Sequence, residues 1–217
     1  MRLPPPPPAE SRITALEPDP RRDGSVRVLL DGRSFCAIPI DAVAVAGLVV
    51  GEQLTDVARE GLVRAADEEA AFRTALRSLE RRGFARRDLT RRLRQKGHPH
   101  EAIDAALVRA ERLGLLDDAV YARDYVETRA QRGRGPARLR RDLLALGVDG
   151  RIVEAALTAA QAEGRDGLAA VRTLAERRAR SLRNLPREVR QRRLTGYLAR
   201  RGVTGEEARS LLRDLVG

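Results

Sequence analysis

Between Arg81 and Lys96 the sequence sets eight basic side chains against a single acid, Asp88; they are Arg81, Arg82, Arg86, Arg87, Arg91, Arg92, Arg94 and Lys96. A second run, Arg129, Arg132, Arg134, Arg138, Arg140 and Arg141, has no acid inside it, and a third extends from Arg172 to Arg193. The chemistry open to such runs is anion recognition. A guanidinium offers parallel N–H donors that hold phosphate or carboxylate through two hydrogen bonds. Most charge runs are solvated helix faces, but on those faces acids usually stand three or four residues from the bases. Acids are missing where that pairing is expected, so the first two runs are read as a surface for a polyanion: DNA backbone or an acidic protein face. Only three Tyr, three Phe and no Trp are present, which argues against reading single strands by base stacking. DNA contact of this kind is sequence-independent and salt-sensitive.

Other chemistries find little support. Asp117-Asp118 is read as the start of the helix bearing Tyr121 and Ala122, where carboxylates cap free amides and oppose the dipole, rather than as metal ligands. His98 and His100 flank Pro99 with no cysteine or third histidine for company. Cys36 stands alone, so an intramolecular disulfide and a cysteine zinc site are both excluded, in keeping with a reducing compartment. No Gly-rich phosphate loop, nucleophile elbow or HExxH motif occurs. Neither catalysis, a metal nor a cofactor is expected, and Tyr121, Tyr125 and Tyr197 are read as packing residues.

The elements that must position the arginines follow from a repeat. Leu, three residues, Leu, three residues, Gly occurs as Leu89, Leu93, Gly97, as Leu139, Leu143, Gly147 and as Leu194, Leu198, Gly202. Ten residues past each Gly stands a further leucine: Leu107, Leu157 and Leu212. Leucines four apart share one helix face, and a terminal Gly takes the left-handed conformation that closes a helix. At about 100° per residue, Arg87, Arg91 and Arg94 fall together on the side of their helix opposite Leu89 and Leu93. Restarts follow each Gly, with Pro99 near a first helical position and Asp149 as an N-cap. Upstream helices are expected near Glu69–Arg82, Asp118–Gln131 and Gly167–Arg183. Each repeat is therefore three helices, and three stacked repeats can share a core that one lacks.

Composition agrees. Hydrophobic residues make up 42% but aromatics only 3%, so the apolar content is mostly Ala, Leu and Val, and an all-α fold is favoured. Residues 1–69 are net −4 and residues 70–217 net +15, a surplus that attracts polyanions. A GC-rich genome accounts for Lys96 being the one lysine, but not for the excess over acids. Five segments are expected. Residues 1–11 form a disordered Pro-rich arm. Residues 12–66 hold a small β-hairpin region, with strands around Val26–Leu30 and Ser34–Ile38 joined by an Asp31-Gly32 turn and a further strand at Ile13–Leu16. The repeats occupy 67–116, 117–165 and 166–217. No apolar run approaches the roughly 20 residues that span a bilayer, and the N-terminus lacks the apolar core of a signal peptide, so a cytoplasmic protein is expected.

At these residues a family becomes recognisable. Ala75–Leu79, then Leu89-Thr-Arg-Arg-Leu93-Arg-Gln-Lys-Gly97, then Gly114–Ala122 resembles RecX proteins, and Arg138–Val148 resembles their second repeat. The likeness is strong over residues 70–160 and weaker in the third repeat. It implies three tandem three-helix repeats in an elongated curved array. It further implies a non-enzymatic, cofactor-free regulator, mainly negative, that binds the RecA–DNA filament and modulates its ATPase, strand exchange and SOS co-protease activity. The expected partners are that filament and DNA, single- or double-stranded, through backbone contacts; no membrane is involved and a monomer is expected. The alternative is a sequence-independent DNA-binding or nucleoid-associated helical protein, since basic three-helix units also serve that purpose.

Overall fold

The computed structural model describes residues 11–216. The Pro-rich arm lies outside them except for Ser11, whose carbonyl accepts the Leu54 amide at 2.8 Å. The chain opens with strands β1 (Ile13–Pro18), β2 (Ser25–Leu30) and β3 (Arg33–Pro39), followed by the short helix α1 (Ile40–Val45). The strands form an antiparallel sheet in the order β1-β2-β3. Val28 stands opposite Leu16 on one side and Cys36 on the other. The two-residue Asp31-Gly32 loop has φ of 48° and 75°, the doubly left-handed turn whose twist matches paired strands. The hairpin and the extra strand are both present.

Nine further helices follow among the described residues: α2 (Asp56–Leu79), α3 (Arg86–Gln95), α4 (His100–Arg112), α5 (Asp118–Ala130), α6 (Pro136–Leu146), α7 (Gly150–Ala162), α8 (Leu168–Ser181), α9 (Arg187–Arg201) and α10 (Gly205–Val216). The expected first helix, Glu69–Arg82, is corrected by α2, which begins at Asp56. Thr55 caps it, its hydroxyl accepting the Ala58 amide at 3.2 Å. The front half of α2 packs on the sheet, where Leu62 joins Ile13, Val28, Leu30, Phe35 and Ile38 in one core. With Leu62 the one fully buried large residue there and Gly61 beside it, the apolar stripe is too sparse to read as helix by periodicity alone. The buried position of Cys36 pushes its thiol up to about 12, so it serves as core and not as a nucleophile.

The described residues divide into two compact units, and the division falls inside α3. Unit 1 holds the sheet, α1, α2, α4 and α3 from Leu89 onward; unit 2 holds residues 83–88 and everything from Leu116. In unit 1, Glu69 is buried and receives Nη1 of Arg109 at 2.9 Å, while that guanidinium lies 3.9 Å above the Phe72 ring, tying α2 to α4. In unit 2 the principal core gathers Ala122, Val126, Leu139, Leu143, Val148, Val153 and Leu157, and a second joins Val171, Ala175, Leu198, Val203 and Leu211.

The leucine–glycine repeat is a helix-ending device used three times. Gly97, Gly147 and Gly202 have φ of 83°, 89° and 85°. In each copy the residue after Gly donates its amide to the carbonyl of the repeat's second leucine: His98 to Leu93 at 3.3 Å, Val148 to Leu143 at 3.2 Å and Val203 to Leu198 at 3.0 Å. The glycine amide itself reaches the residue after that leucine, at 2.9, 2.9 and 3.0 Å. These two bonds define the Schellman ending, which needs a left-handed residue four positions past the accepting leucine. The leucine spacing and the glycine are thus one requirement: the side chain that fills the core also carries the carbonyl that closes the helix.

Candidate polyanion-binding site

In unit 2 the second basic run is shaped by a joint between repeats. The α5–α6 connection, residues 131–135, docks on the end of α9. Gly135 donates its amide to the Arg201 carbonyl at 2.7 Å and Ala137 donates to the Gly202 carbonyl at 3.1 Å. The bonds run both ways, since Arg201 Nη1 reaches the carbonyls of Arg132 and Gly133, each at 3.2 Å, and Arg138 Nη1 reaches the Arg200 carbonyl at 3.0 Å. Such contact requires small residues. A Cβ on Gly202 would collide with the Arg138 backbone, and one on Gly135 would stand 2.8 Å from the Gly202 carbonyl. The same device recurs one repeat earlier, where the stem of Arg87 covers Gly147.

This joint leaves a depression of about 590 Å³ lined by Arg129, Arg132, Arg134, Arg138, Tyr197, Arg200 and Arg201. Six cations surround it and no acid lines it. Part of the charge is used internally. Arg134 Nη1 lies 2.7 Å from Asp142 and 2.9 Å from the Tyr125 hydroxyl, and Arg138 Nε lies 3.7 Å from the same Asp142. Arg129 stacks 5.5 Å over Tyr125 and Arg201 5.3 Å over Tyr197. Arg132 and Arg200 are exposed with no acid partner among the described residues. These contacts hold the inner arginines in place, and the two outer guanidiniums are presented.

The other expected site residues are distributed as follows. Arg140 makes a two-pronged pair with Glu154, both contacts at 2.6 Å, which draws it toward α7; this bonding holds the Glu154 carboxyl below its usual range and raises the Arg140 guanidinium. Arg141 is exposed on α6. On α3, Leu89 and Leu93 are fully buried while Arg87, Arg91 and Arg94 are exposed, as helical spacing requires. Arg82 is exposed and Arg86 half-buried, its amide donating to the Asp118 carboxylate at 2.7 Å. Arg81, Arg92 and Lys96 line a separate cleft in unit 1. The expected lack of acids near the second run is therefore corrected. Asp142 lies one residue beyond the run and Glu154 one helix later, and folding brings both back onto Arg134, Arg138 and Arg140.

Asp117 and Asp118 divide their work. Asp117 caps α5, accepting the Ala119 and Val120 amides at 2.7 and 3.1 Å, while Asp118 reaches back to the first turn of α3. His100 pairs with Asp104 on the surface at 2.7 Å. Among the described residues no group of His, Cys, Asp or Glu is arranged to hold a metal ion, and no helix is long and apolar enough to cross a membrane. Tyr121 and Tyr125 pack against the unit 2 core with ring centroids 6.0 Å apart.

Comparison with known proteins agrees with this layout. Models of the first, second and third three-helix domains of RecX match residues 71–109, 117–157 and 165–212. The chain belongs to the RecX family. The regulatory protein RecX of Thermobifida fusca (strain YX) is 43% identical over 144 residues, spanning 64% of this chain and 75% of that one. The protein of the same name in Streptomyces coelicolor is 37% identical over 148 residues, spanning 67% and 77%. A crystal structure of regulatory protein RecX superposes with a TM-score of 0.77 at 22% identity, over 94% of this chain and 99% of that one. RecX from Lactobacillus salivarius gives a TM-score of 0.61 at 23% identity, over 69% and 96%. The three RecX domains coincide with the back of α2 through α4, with α5–α7, and with α8–α10. In that frame Arg200 and Arg201 directly precede the closing glycine of the third RecX repeat. The first two runs did not include them, and no local signal marks them, because their place in the depression follows from the contact of Arg200 and Arg201 with residues 132–138.

Proposed function

We propose that this RecX-family chain is a non-catalytic regulator of the RecA recombinase, mainly restraining it. On this reading it binds the RecA–DNA filament in the cytoplasm as a monomer and modulates ATP hydrolysis, strand exchange and SOS co-protease action. The observation that carries the reading is the arginine-lined depression of unit 2, whose lining has six cations and no acid. Such a concavity concentrates positive potential and suits a phosphate backbone or the acidic face of a filament protomer. The arginines expected on α3 and α6 offer the same chemistry, Arg87, Arg91, Arg94 and Arg141 being exposed.

The test is RecA's ATPase on single-stranded DNA, titrated with this protein. A regulator acting on the filament slows hydrolysis while scarce relative to RecA; a protein that only coats DNA acts when abundant enough to cover it. Arg132→Glu with Arg200→Glu reverses two exposed charges outside the core, so circular dichroism and melting are expected to stay as they are. The concentration needed for half-inhibition is expected to rise by about tenfold or more, from two lost phosphate or carboxylate contacts. Unchanged inhibition by this variant removes the depression from the docking surface.

A further inference from the structure

Unit 1 contains a second basic concavity built from different parts. It is a cleft of about 660 Å³ where the β1–β2 loop faces α2 and the α3–α4 turn. The loop supplies Arg21 and Arg22, α2 supplies Arg73 and Arg77, the turn after α2 supplies Arg81, and α3 with the turn after it supplies Arg92, Lys96 and His98. Asp67 is the one acid in its lining. Arg22 pairs with Asp19 at 3.5 Å, and Arg92 Nε donates to Ser78 Oγ at 3.1 Å. Arg21, Arg73, Arg77, Arg81 and Lys96 have no acid partner among the described residues. Like charges gathered in a concavity repel one another and destabilise the compact state unless an anion neutralises them.

The polar floor is ordered. Thr74 Oγ1 donates to the Ala70 carbonyl at 2.9 Å and Ser78 Oγ donates to the Thr74 carbonyl at 2.8 Å. His98 Nε2 lies 3.1 Å from Thr74 Oγ1. Because the threonine proton is committed to Ala70, the hydroxyl accepts from His98 Nε2–H, which leaves Nδ1 as the nitrogen that gains or loses a proton. No Phe, Tyr or Trp lines the cleft, so it lacks the broad ring platform on which bases stack. Its volume exceeds what a single phosphate fills, and its cations come from several directions.

We propose that this cleft is a second anion site that holds a run of phosphate groups, with His98 as an additional, protonation-dependent contact. Two sources supply such a ligand: the backbone of a nucleic acid strand and free polyphosphate, including the tail of a nucleoside triphosphate. Burial is the main cause that lowers the His98 pKa; Asp67 opposes it, and Arg77 adds a smaller lowering. The ring is therefore neutral at neutral pH in the empty cleft. Bound phosphates favour the protonated ring, so binding takes up a proton and tightens as pH falls below neutral. The charged groups lining the cleft with His98 are Arg21 and Arg22 from the loop, Asp67, Arg73 and Arg77 from α2, Arg81 from the turn after it, Arg92 from α3, and Lys96 in the α3–α4 turn.

The proposal concerns binding without RecA, so the filament assay neither supports nor sinks it. The full chain is titrated into labelled oligothymidylate, followed by fluorescence anisotropy across salt concentrations and from mildly alkaline to mildly acid pH. Tripolyphosphate and ATP are used as competitors. Arg73→Glu with Arg77→Glu is expected to weaken oligonucleotide binding about tenfold and to flatten the slope of log affinity against log salt by about 1.4, at roughly 0.7 per lost single-strand phosphate contact. His98→Gln retains a donor to Thr74 and is expected to abolish the tightening at acid pH while leaving alkaline affinity in place. If tripolyphosphate displaces the oligonucleotide from wild type but not from the double variant, free polyphosphate is the ligand; if it does not compete, the nucleic acid backbone is. Should the α2 variant fail to fold, Arg21→Glu with Lys96→Glu, both exposed, carries the same expectation. A folded variant that binds every probe with wild-type affinity and salt slope overturns the proposal.

Discussion

Leu143→Ala is expected to lower stability by about 2–5 kcal/mol, the range for truncating a buried leucine into a cavity. The side chain is fully buried in the principal unit 2 core, among Leu139, Val148, Val153 and Leu157. Its carbonyl accepts the Val148 amide at 3.2 Å, so Val148 packs over the same leucine whose carbonyl it satisfies. Removing the side chain thus weakens the core and the closure of α6 together. Leu144, the next residue, is 47% exposed, and Leu144→Ala is expected to change stability by no more than about 0.5 kcal/mol. The pair shares composition, helix propensity and helix, and differs in burial alone. Urea denaturation followed by circular dichroism reads both, with the midpoint shifting and the slope preserved. Equal losses at 143 and 144 contradict the placement of the repeat leucines.

What was legible in the sequence is what local chemistry dictates. The leucine–glycine spacing announces itself because a Schellman ending and a core knob demand the same interval, and the Asp31-Gly32 turn because positive φ is required at both positions. Asp149 likewise caps α7 as read, taking the Arg151 amide at 2.8 Å. What stayed hidden depends on partners distant in sequence. The front of α2 is helical because the sheet buries Leu62, and no periodicity within residues 56–68 states that. The division of the chain inside α3 follows from where residues 83–88 pack. Among the arginines, exposure on the α3 face was readable from a 100° step, but occupancy was not. Arg134 and Arg138 share Asp142, and Arg140 finds Glu154 across a turn. Arg200 and Arg201 enter the depression through a joint with residues 132–138 that no short window contains. The cleft of unit 1 combines a strand loop with two helices for the same reason, and Arg21, Arg22, Arg73 and Arg77 carry no local mark.

Gly202→Ala should destabilise far more than Gly97→Ala, although the two glycines occupy equivalent places and nearly equal backbone angles, 85° and 83°. Left-handed backbone costs a non-glycine residue roughly 1–2 kcal/mol, and both variants incur that. Around Gly97 a new Cβ meets nothing within 4 Å, so that strain is the whole expected cost there. At Gly202 the new Cβ runs into the backbone of Arg138 at the start of α6, which cannot swing aside as a side chain tip does. Relieving the clash means parting α9 from α6, at about 1–3 kcal/mol more for overpacking. It also stretches the bonds from Gly135 to Arg201 and from Ala137 to Gly202, at 2.7 and 3.1 Å. The expected total is about 2–5 kcal/mol, read as a drop in urea midpoint. Because those bonds set the spacing of Arg132, Arg138, Arg200 and Arg201, the Gly202 variant is also expected to restrain RecA less, even at temperatures where it remains folded. Gly97→Ala leaves that joint alone, so its inhibition curve should overlay wild type after correction for active protein. Equal stability losses in the two variants would show that the close approach of α9 to α6 contributes nothing, and that the arginine depression is not held by this joint.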